Sequence, residues 1–502
     1  MGVRLLKIEE RIPVSTSHGR PNIVLITSDQ QRGDCIGLED HPVLQTPHID
    51  FLGASGTWFR RAYSEVPSCI PARRTLMSGQ APASQGMVGF LDKVEWMPEH
   101  TLAGELANAG YQCEMVGKLH LWPLRKQFGF HHMQLADSTA GGIQNDYHDW
   151  LGGATPIEFW AVAHGATPNG WIGRPNHLPE TQTHSFWCVT EAIKSIEKRD
   201  PTRPFFVNVS FIDPHPPLTP PQFYFDRYVA LDLPKPDIGS WARQADGPTK
   251  GGEQEGAETR GFLALDEQTM HYCRAGYYGL VNHVDTQVGR LIEYLRRRGI
   301  LDNTFILFTS DHGEMLGDHN MFAKGNPFEP SARVPFVARA AKTMGLPRNV
   351  VVNAPVGLQD VMPTLLEVAG AEIPATVTGR SVLPLMRGES ADAIGWRTLL
   401  HGEHAPCYAE DDGMHYLVDN RFKYAWFSQR GREFLFDLER DPKELTDLAT
   451  SPEYADLLAT RRASLIDILR DRPEGFTDGR ALIPGSSHTK LVPPVEHAPR
   501  WL

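Results

Sequence analysis

Three unbroken apolar runs stand out along the chain, at 22–30, 204–213 and 304–314, and each stops abruptly in polar residues. Runs rich in Val, Ile and Phe with no polar face predict strands buried on both sides, the pattern of a parallel sheet. Shorter runs at 58–63 and 111–116 predict further strands. Between them lie helical patterns at 46–56, 101–109, 183–198 and 272–298. The last places Leu280, Val284, Val288, Leu291, Ile292 and Leu295 on one stripe and ends at Gly299. Strands alternating with helices predict an α/β fold, a large, mixed but mostly parallel central sheet flanked by helices. A capped helix at 355–366 closes it.

From about residue 385 the pattern changes. Short strands at 414–418, 422–427 and 433–438 are separated by turn residues, a meander and not βαβ, and a helix at 452–470 should pack across them. The organisation expected is a polar arm (1–20), a catalytic α/β domain (21–384), a small α+β subdomain with an antiparallel sheet (385–471) and a tail (472–502). The Gly-, His-, Trp- and Pro-rich stretch 131–180 predicts loops facing a substrate, and 230–262 a polar insertion.

Composition narrows the classes. A chain of 502 residues with 41% hydrophobic and 22% charged residues is globular. A net charge of −12 argues against a nucleic-acid or acidic-membrane partner, while leaving room for a local cationic pocket. Six scattered cysteines without a CxxC pair form neither a disulfide framework nor a zinc ribbon. The first twenty residues are charged throughout, with no apolar signal core, and no stretch is long enough to span a membrane. The expectation is a soluble, cytoplasmic protein.

Candidate chemistry sits at the ends of the buried runs, where open α/β sheets bind ligands. Asp29 closes the first, Asp311-His312-Gly313 closes the third, and Asp213-Pro214-His215 closes the second. In Gly117-Lys118-Leu119-His120, Lys118 and His120 stand two apart at a strand end. The stretch Cys69-Ile70-Pro71-Ala72-Arg73 places a thiol at the start of a helix, since Pro71 suits a first turn. Free backbone N–H groups gather there and favour an anion, and Arg73 lies one turn on, along the same face.

Cys69-Ile70-Pro71-Ala72-Arg73, continued by Leu76-Met77-Ser78-Gly79, resembles the signature of the type I sulfatases of the alkaline phosphatase superfamily. In that family the cysteine is oxidised to Cα-formylglycine. The resemblance runs from about residue 20 to 470, with Leu435-Phe436-Asp437-Leu438 matching the C-terminal part. It departs at Gln30, where many sulfatases have a second Asp, and at Ser78, where threonine is usual. Gln30 and Lys324, thirteen residues after Asp311, are similar instead to the branch of choline sulfatases, phosphonate monoester hydrolases and arylsulfatases.

The resemblance implies hydrolysis of small sulfate esters. Asp29, Asp311, His312 and the converted Cys69 would hold one divalent metal, Ca²⁺ first and Mn²⁺ or Mg²⁺ as alternatives. Gln30 is either a further ligand or a neighbour that donates a hydrogen bond to one. Arg73, Lys118 and Lys324 would surround the sulfuryl oxygens, Lys324 or His215 would protonate the leaving alcohol, and His120 would assist release of sulfate. His215 would also contact substrate. A formylglycine-generating or anaerobic sulfatase-maturating enzyme is the implied partner, and a homo-oligomer the expected state. Two other readings are a phosphonate monoester or phosphodiester hydrolase using the same site, and a non-catalytic binder of sulfate esters with Cys69 unmodified.

Overall fold

The first apolar run becomes β1 (Asn22–Asp29), buried along its whole length in the middle of an eight-stranded sheet. The structure, a computed structural model, describes residues 19–137, 145–151, 166, 169–242, 248–249 and 264–493. The other strands of this sheet are β2 (Thr57–Phe59), β3 (Gln112–Gly117), β4 (His132–Leu135), β5 (Phe205–Pro214), β6 (Thr304–Ser310), β7 (Phe336–Arg339) and β8 (Val350–Val352). Their spatial order is β8-β2-β7-β6-β1-β5-β3-β4. Only β7 runs antiparallel to its neighbours, so the sheet is mixed and mostly parallel, as expected.

The helices used below are α1 (Pro47–Ala54), α2 (Cys69–Ser78), α3 (Leu102–Asn108), α4 (His184–Lys198), α5 (Glu267–Arg297), α6 (Val361–Ala369) and α7 (Ala455–Ile468). Alternate residues of β1 feed two cores. Ile23 and Leu25 join Leu102 and Leu106 of α3 and Leu365 of α6, while Val24 and Ile26 join Trp187 of α4 and Val284 and Val288 of α5. A strand covered on both faces can be apolar at every position, which is why these runs were readable. Each such side chain contributes about 1.5–3 kcal/mol when fully buried.

Several boundaries differ from the sequence expectation. The run 58–63 is broken into β2 and a two-residue strand, Ala62–Tyr63. α5 begins at Glu267, earlier than its apolar stripe, because the Asp266 carboxylate caps it by accepting from the Thr269 N–H at 2.9 Å. The helix expected at 355–366 begins only at Val361, after a short strand and a 3₁₀ turn. The stretch 131–180 is not all loop. It holds β4, an edge strand with exposed polar positions and hence no apolar run, and a short helix, Asp146–Trp150. The N-terminal arm up to residue 18, residues 152–165, most of the insertion from 243 to 263 and the end of the tail from 494 lie outside the described residues.

A second sheet is an antiparallel meander of β9 (Leu400–His404), β10 (Met414–Val418), β11 (Phe422–Phe427) and β12 (Arg432–Asp437). Its strand β9 carries buried polar residues, so no apolar alternation announced it. One face packs Leu417, Tyr424 and Leu435 against Leu458 and Leu465 of α7. The other packs Tyr416, Phe434 and Phe436 against Tyr63, Met315 and Phe328. Among the described residues, no helix is long and apolar enough to cross a membrane.

Candidate active site

Strand register assembles the site. Ser28 of β1 is level with Ser310 of β6, so Asp29 and Asp311 leave the same edge of the sheet side by side. Asp29 is also paired with Pro214 of β5, which places His215 next to it. Gly117 of β3 is level with Ser210, and Lys118 follows. A side chain at 117 is excluded, since a Cβ there would lie 1.9 Å from the Ser210 carbonyl oxygen at a φ of +102°. The carboxyl ends of four neighbouring strands thus present Lys118, His215, Asp29 and Asp311 together.

Helix α2 aims its first residue at this edge. Ser68 enters it in an extended conformation and Gly79 ends it at a φ of +66°, so Cys69 sits at the positive end of the helix, 2% exposed. His404 of β9 braces that end, with its Nε2 2.7 Å from the Ser68 hydroxyl. One ligand atom from each of Asp29, Cys69, Asp311 and His312 lies within 4.8 Å of every other. The Cys69 Sγ is 3.2 Å from His312 Nε2 and 3.8 Å from Asp29 Oδ1. The His312 Nδ1 faces the Gly313 carbonyl at 2.9 Å and can only donate to it, which leaves the Nε2 lone pair toward the cluster.

Two buried cations balance the carboxylates. The Arg73 Nε donates to Asp311 Oδ2 at 2.9 Å and its Nη2 to Asp29 Oδ2 at 3.3 Å. Its Nη1 donates to the Lys118 carbonyl and the Ser210 hydroxyl. The Lys118 ammonium pairs with Asp29. Burial alone would raise the Asp29 carboxyl, but Lys118, His215, Arg73 and His312 hold it well below the ordinary range. Burial and Asp29 likewise push the Cys69 thiol up, and Lys118, Lys324 and His312 outweigh them. Burial disfavours a charged His312, yet Asp311 and Cys69 raise its pKa. Two carboxylates and an imidazole lone pair, gathered with residue 69 within 4.8 Å of one another, fit a divalent ion.

Lys324 lies on the far side of this centre. Its Nζ donates to the Gln30 side-chain oxygen and stands 3.1 Å from His215 Nε2. His215 Nδ1 donates to the Pro216 carbonyl at 2.7 Å, so Nε2 is the acceptor and Lys324 carries the proton. Burial and the neighbouring Lys324 both lower the His215 pKa, in agreement. Gln30 is pinned at a φ of +66°: its N–H donates to Asp311 Oδ1 at 3.1 Å, its carbonyl accepts from the Tyr277 hydroxyl at 2.7 Å, and its amide nitrogen donates to Glu314. Glu314 in turn accepts from the N–H groups of Leu316 and Ala323.

His120 sits near the same charges, but no hydrogen bond joins it to Cys69. Its N–H donates to Asp137, and its buried Nδ1 has no partner among the described residues. Burial, Lys118 and Arg73 hold it neutral. The residues singled out by sequence therefore converge, with Arg73 turned to the carboxylates. Glu314, Ser210, Tyr277 and Ser68 with His404 were not anticipated. Ser210, Tyr277 and His404 lie in ordinary elements and Ser68 and Glu314 in the segments between elements, and only long-range packing makes them part of the site.

Fold and strand-end site together define a hydrolase of the alkaline-phosphatase-like class. The sulfatase family profile matches residues 21–371, and the C-terminal profile of N-sulphoglucosamine sulphohydrolase matches 317–471. The chain belongs to the sulfatase family, the hydrolases of sulfuric esters. It is 39% identical over 480 residues to an arylsulfatase of Clostridium perfringens, covering 93% of this chain and 98% of that one. It is 28% identical to the choline-sulfatase of Rhizobium meliloti, over 86% of this chain and 83% of the relative. The crystal structure of the phosphonate monoester hydrolase of Agrobacterium radiobacter superposes with a TM-score of 0.74 at 26% identity, covering 89% and 95% of the two chains.

Proposed function

We propose that the chain hydrolyses sulfate esters through a formylglycine made from Cys69 by a maturating enzyme, with one divalent ion held by Asp29, Asp311, His312 and residue 69. The observation that carries this is the convergence of those four side chains at the N-terminus of α2. The Cys69 Sγ marks the place that a hydroxyl of the hydrated aldehyde would take. Two hydroxyls on that carbon supply the nucleophile and, afterwards, the group that expels sulfate. The bound ion would lower the pKa of the attacking hydroxyl. Oxygen-rich ligands make Ca²⁺ the first choice.

The protein's own groups divide the remaining work. Lys118 stabilises the sulfuryl oxygens as negative charge builds there. Arg73 fixes the two carboxylates that it bonds, a positioning role. Lys324 has three N–H groups; Gln30 and His215 take two, and the third, without a partner among the described residues, would protonate the departing alcohol. His215 and Gln30 hold that ammonium in place, and His120, neutral and with Nδ1 unpartnered, is the base that assists sulfate release.

Mass mapping of the peptide holding residue 69, with assays on aryl sulfate and aryl phosphonate esters in parallel, tests the reading. An unmodified thiol in active protein overturns it. Faster turnover of the phosphonate would favour the phosphonate monoester hydrolase alternative, which the likeness to the Agrobacterium enzyme keeps in play.

Two variants separate the roles. Lys324→Ala should lower kcat/KM for alkyl sulfates by about 10²–10⁴ and for nitrophenyl sulfate far less, because a stabilised phenolate leaves without a proton. Lys118→Ala should depress both alike; equal leaving-group slopes in the two variants would remove Lys324 as the acid. Gln30→Leu should keep the full metal content, since the amide oxygen serves Lys324, and should share the steeper leaving-group slope. Loss of the ion in that variant would make Gln30 a ligand after all.

A further inference from the structure

Lys324 lines a cavity of about 350 Å³ between the second sheet and the segment 321–328. Trp241, Phe328, Tyr408 and Phe434 form much of its wall. The rings support one another: Phe328 stacks on Trp241 with centroids 4.6 Å apart, and Phe434 meets Trp241 edge-on at 5.0 Å. Trp241 Nε1 donates to the Glu444 carbonyl at 2.6 Å. These walls are fixed by their own packing and present flat apolar surface. Lys324, whose ammonium meets Gln30 and His215 in the site, lines the cavity as well, so the space opens beside the reacting centre.

Cations outnumber carboxylates in this lining, with Lys324, Arg430 and Arg432 against Asp412. Arg432 is exposed, lies over the Phe434 ring at 4.2 Å and makes no ion pair among the described residues. The Asp412 carboxylate is occupied by the N–H groups of Cys407, Tyr408 and Ala409. Arg430 is neutralised by Asp411. With Arg430 paired and Asp412 the one carboxylate in the lining, Lys324 and Arg432 leave it net positive.

We propose that this cavity is the leaving-group subsite and selects sulfate esters of aromatic alcohols, favouring those with a second, anionic substituent placed to meet Arg432. The proposal rests on the sulfatase reading above. A planar ring matches the walls and the volume suits one or two fused rings. Aromatic boxes also bind quaternary ammonium groups, but two cations in the lining disfavour one here. A sugar ring would have to set hydroxyls against the faces of Trp241, Phe328 and Phe434, which offer them no hydrogen bond.

The test compares kcat/KM for phenyl, 2-naphthyl and 4-carboxyphenyl sulfates with choline sulfate and a hexose 6-sulfate. Aryl esters should lead, with the carboxyphenyl ester ahead of the phenyl ester. Arg432→Glu, on the surface, should lower the carboxyphenyl-to-phenyl ratio by about tenfold. Phe434→Ala should raise KM for the naphthyl ester by about tenfold. A wild-type preference for choline or hexose sulfate, or an unmoved ratio in active Arg432→Glu, overturns the subsite. Calorimetry with 4-hydroxybenzoate, the product phenol, needs no turnover. Binding that weakens in Arg432→Glu while the wild type hydrolyses no sulfate ester would sink the reaction and uphold the subsite; no binding to the wild type would sink the subsite.

Discussion

Cys69→Ala is expected to fold like the wild type and to lose turnover by about 10⁴-fold or more, the largest effect of any single change. The side chain is small, 2% exposed, and at the first position of α2, where alanine keeps the helix and leaves a gap of one sulfur atom. Neither an acid at Lys324 nor a cation at Lys118 can act without a group to attack sulfur. The reaction would be followed with nitrophenyl sulfate beside a denaturant melt. Wild-type rates in a variant with an unchanged melt would end the formylglycine mechanism.

Asp311→Ala should act on metal, rate and stability at once. Asp311 is 1% exposed and accepts from the Arg73 Nε and from the N–H groups of Gln30 and His312. Removing it takes away a proposed ligand and leaves the buried Arg73 guanidinium with Asp29 as its one ion-pair partner among the described residues. Breaking a buried ion pair from one side costs about 3–5 kcal/mol. The variant should purify without the divalent ion, lose activity by about 10³-fold or more, and unfold at lower denaturant than metal-stripped wild type. Elemental analysis decides first: a stoichiometric ion in the variant would refute Asp311 as a ligand.

How far the sequence carried depends on what each residue answers to. Asp29, Asp311 and His312 were legible because a buried strand must stop somewhere, and its last residues face the ligand side of an open sheet. The pairing of Gly117 with Ser210 and of Ser28 with Ser310 then delivered Lys118 and Asp311 to one place, which no local pattern states. Strand β9 was illegible for the opposite reason. Its Glu403 and His404 are buried through partners distant in sequence, Arg472 and Ser68, so the strand shows no apolar face to read. Edge strand β4 was hidden by its polar, half-exposed positions. Gln30 was ambiguous from sequence alone, since a ligand and a hydrogen-bond donor beside one both call for a polar side chain at a strand end.

The burial of Cys69 has a consequence for the life history of the molecule. At 2% exposure, under a helix whose residues are all buried and braced by His404, the thiol lies beyond the reach of any second protein. The conversion we propose must therefore happen while the chain is still extended, in a race between oxidation and folding. The charge balance of Asp29 and Asp311 with Arg73 and Lys118 lets the core close whether or not that race has been won. A molecule that folds first is locked as a well-formed but inert thiol. Under that proposal a preparation in which some chains fold first would be a blend of two species alike in shape, and its specific activity would report the synthesis conditions of each batch as much as the chemistry of the site.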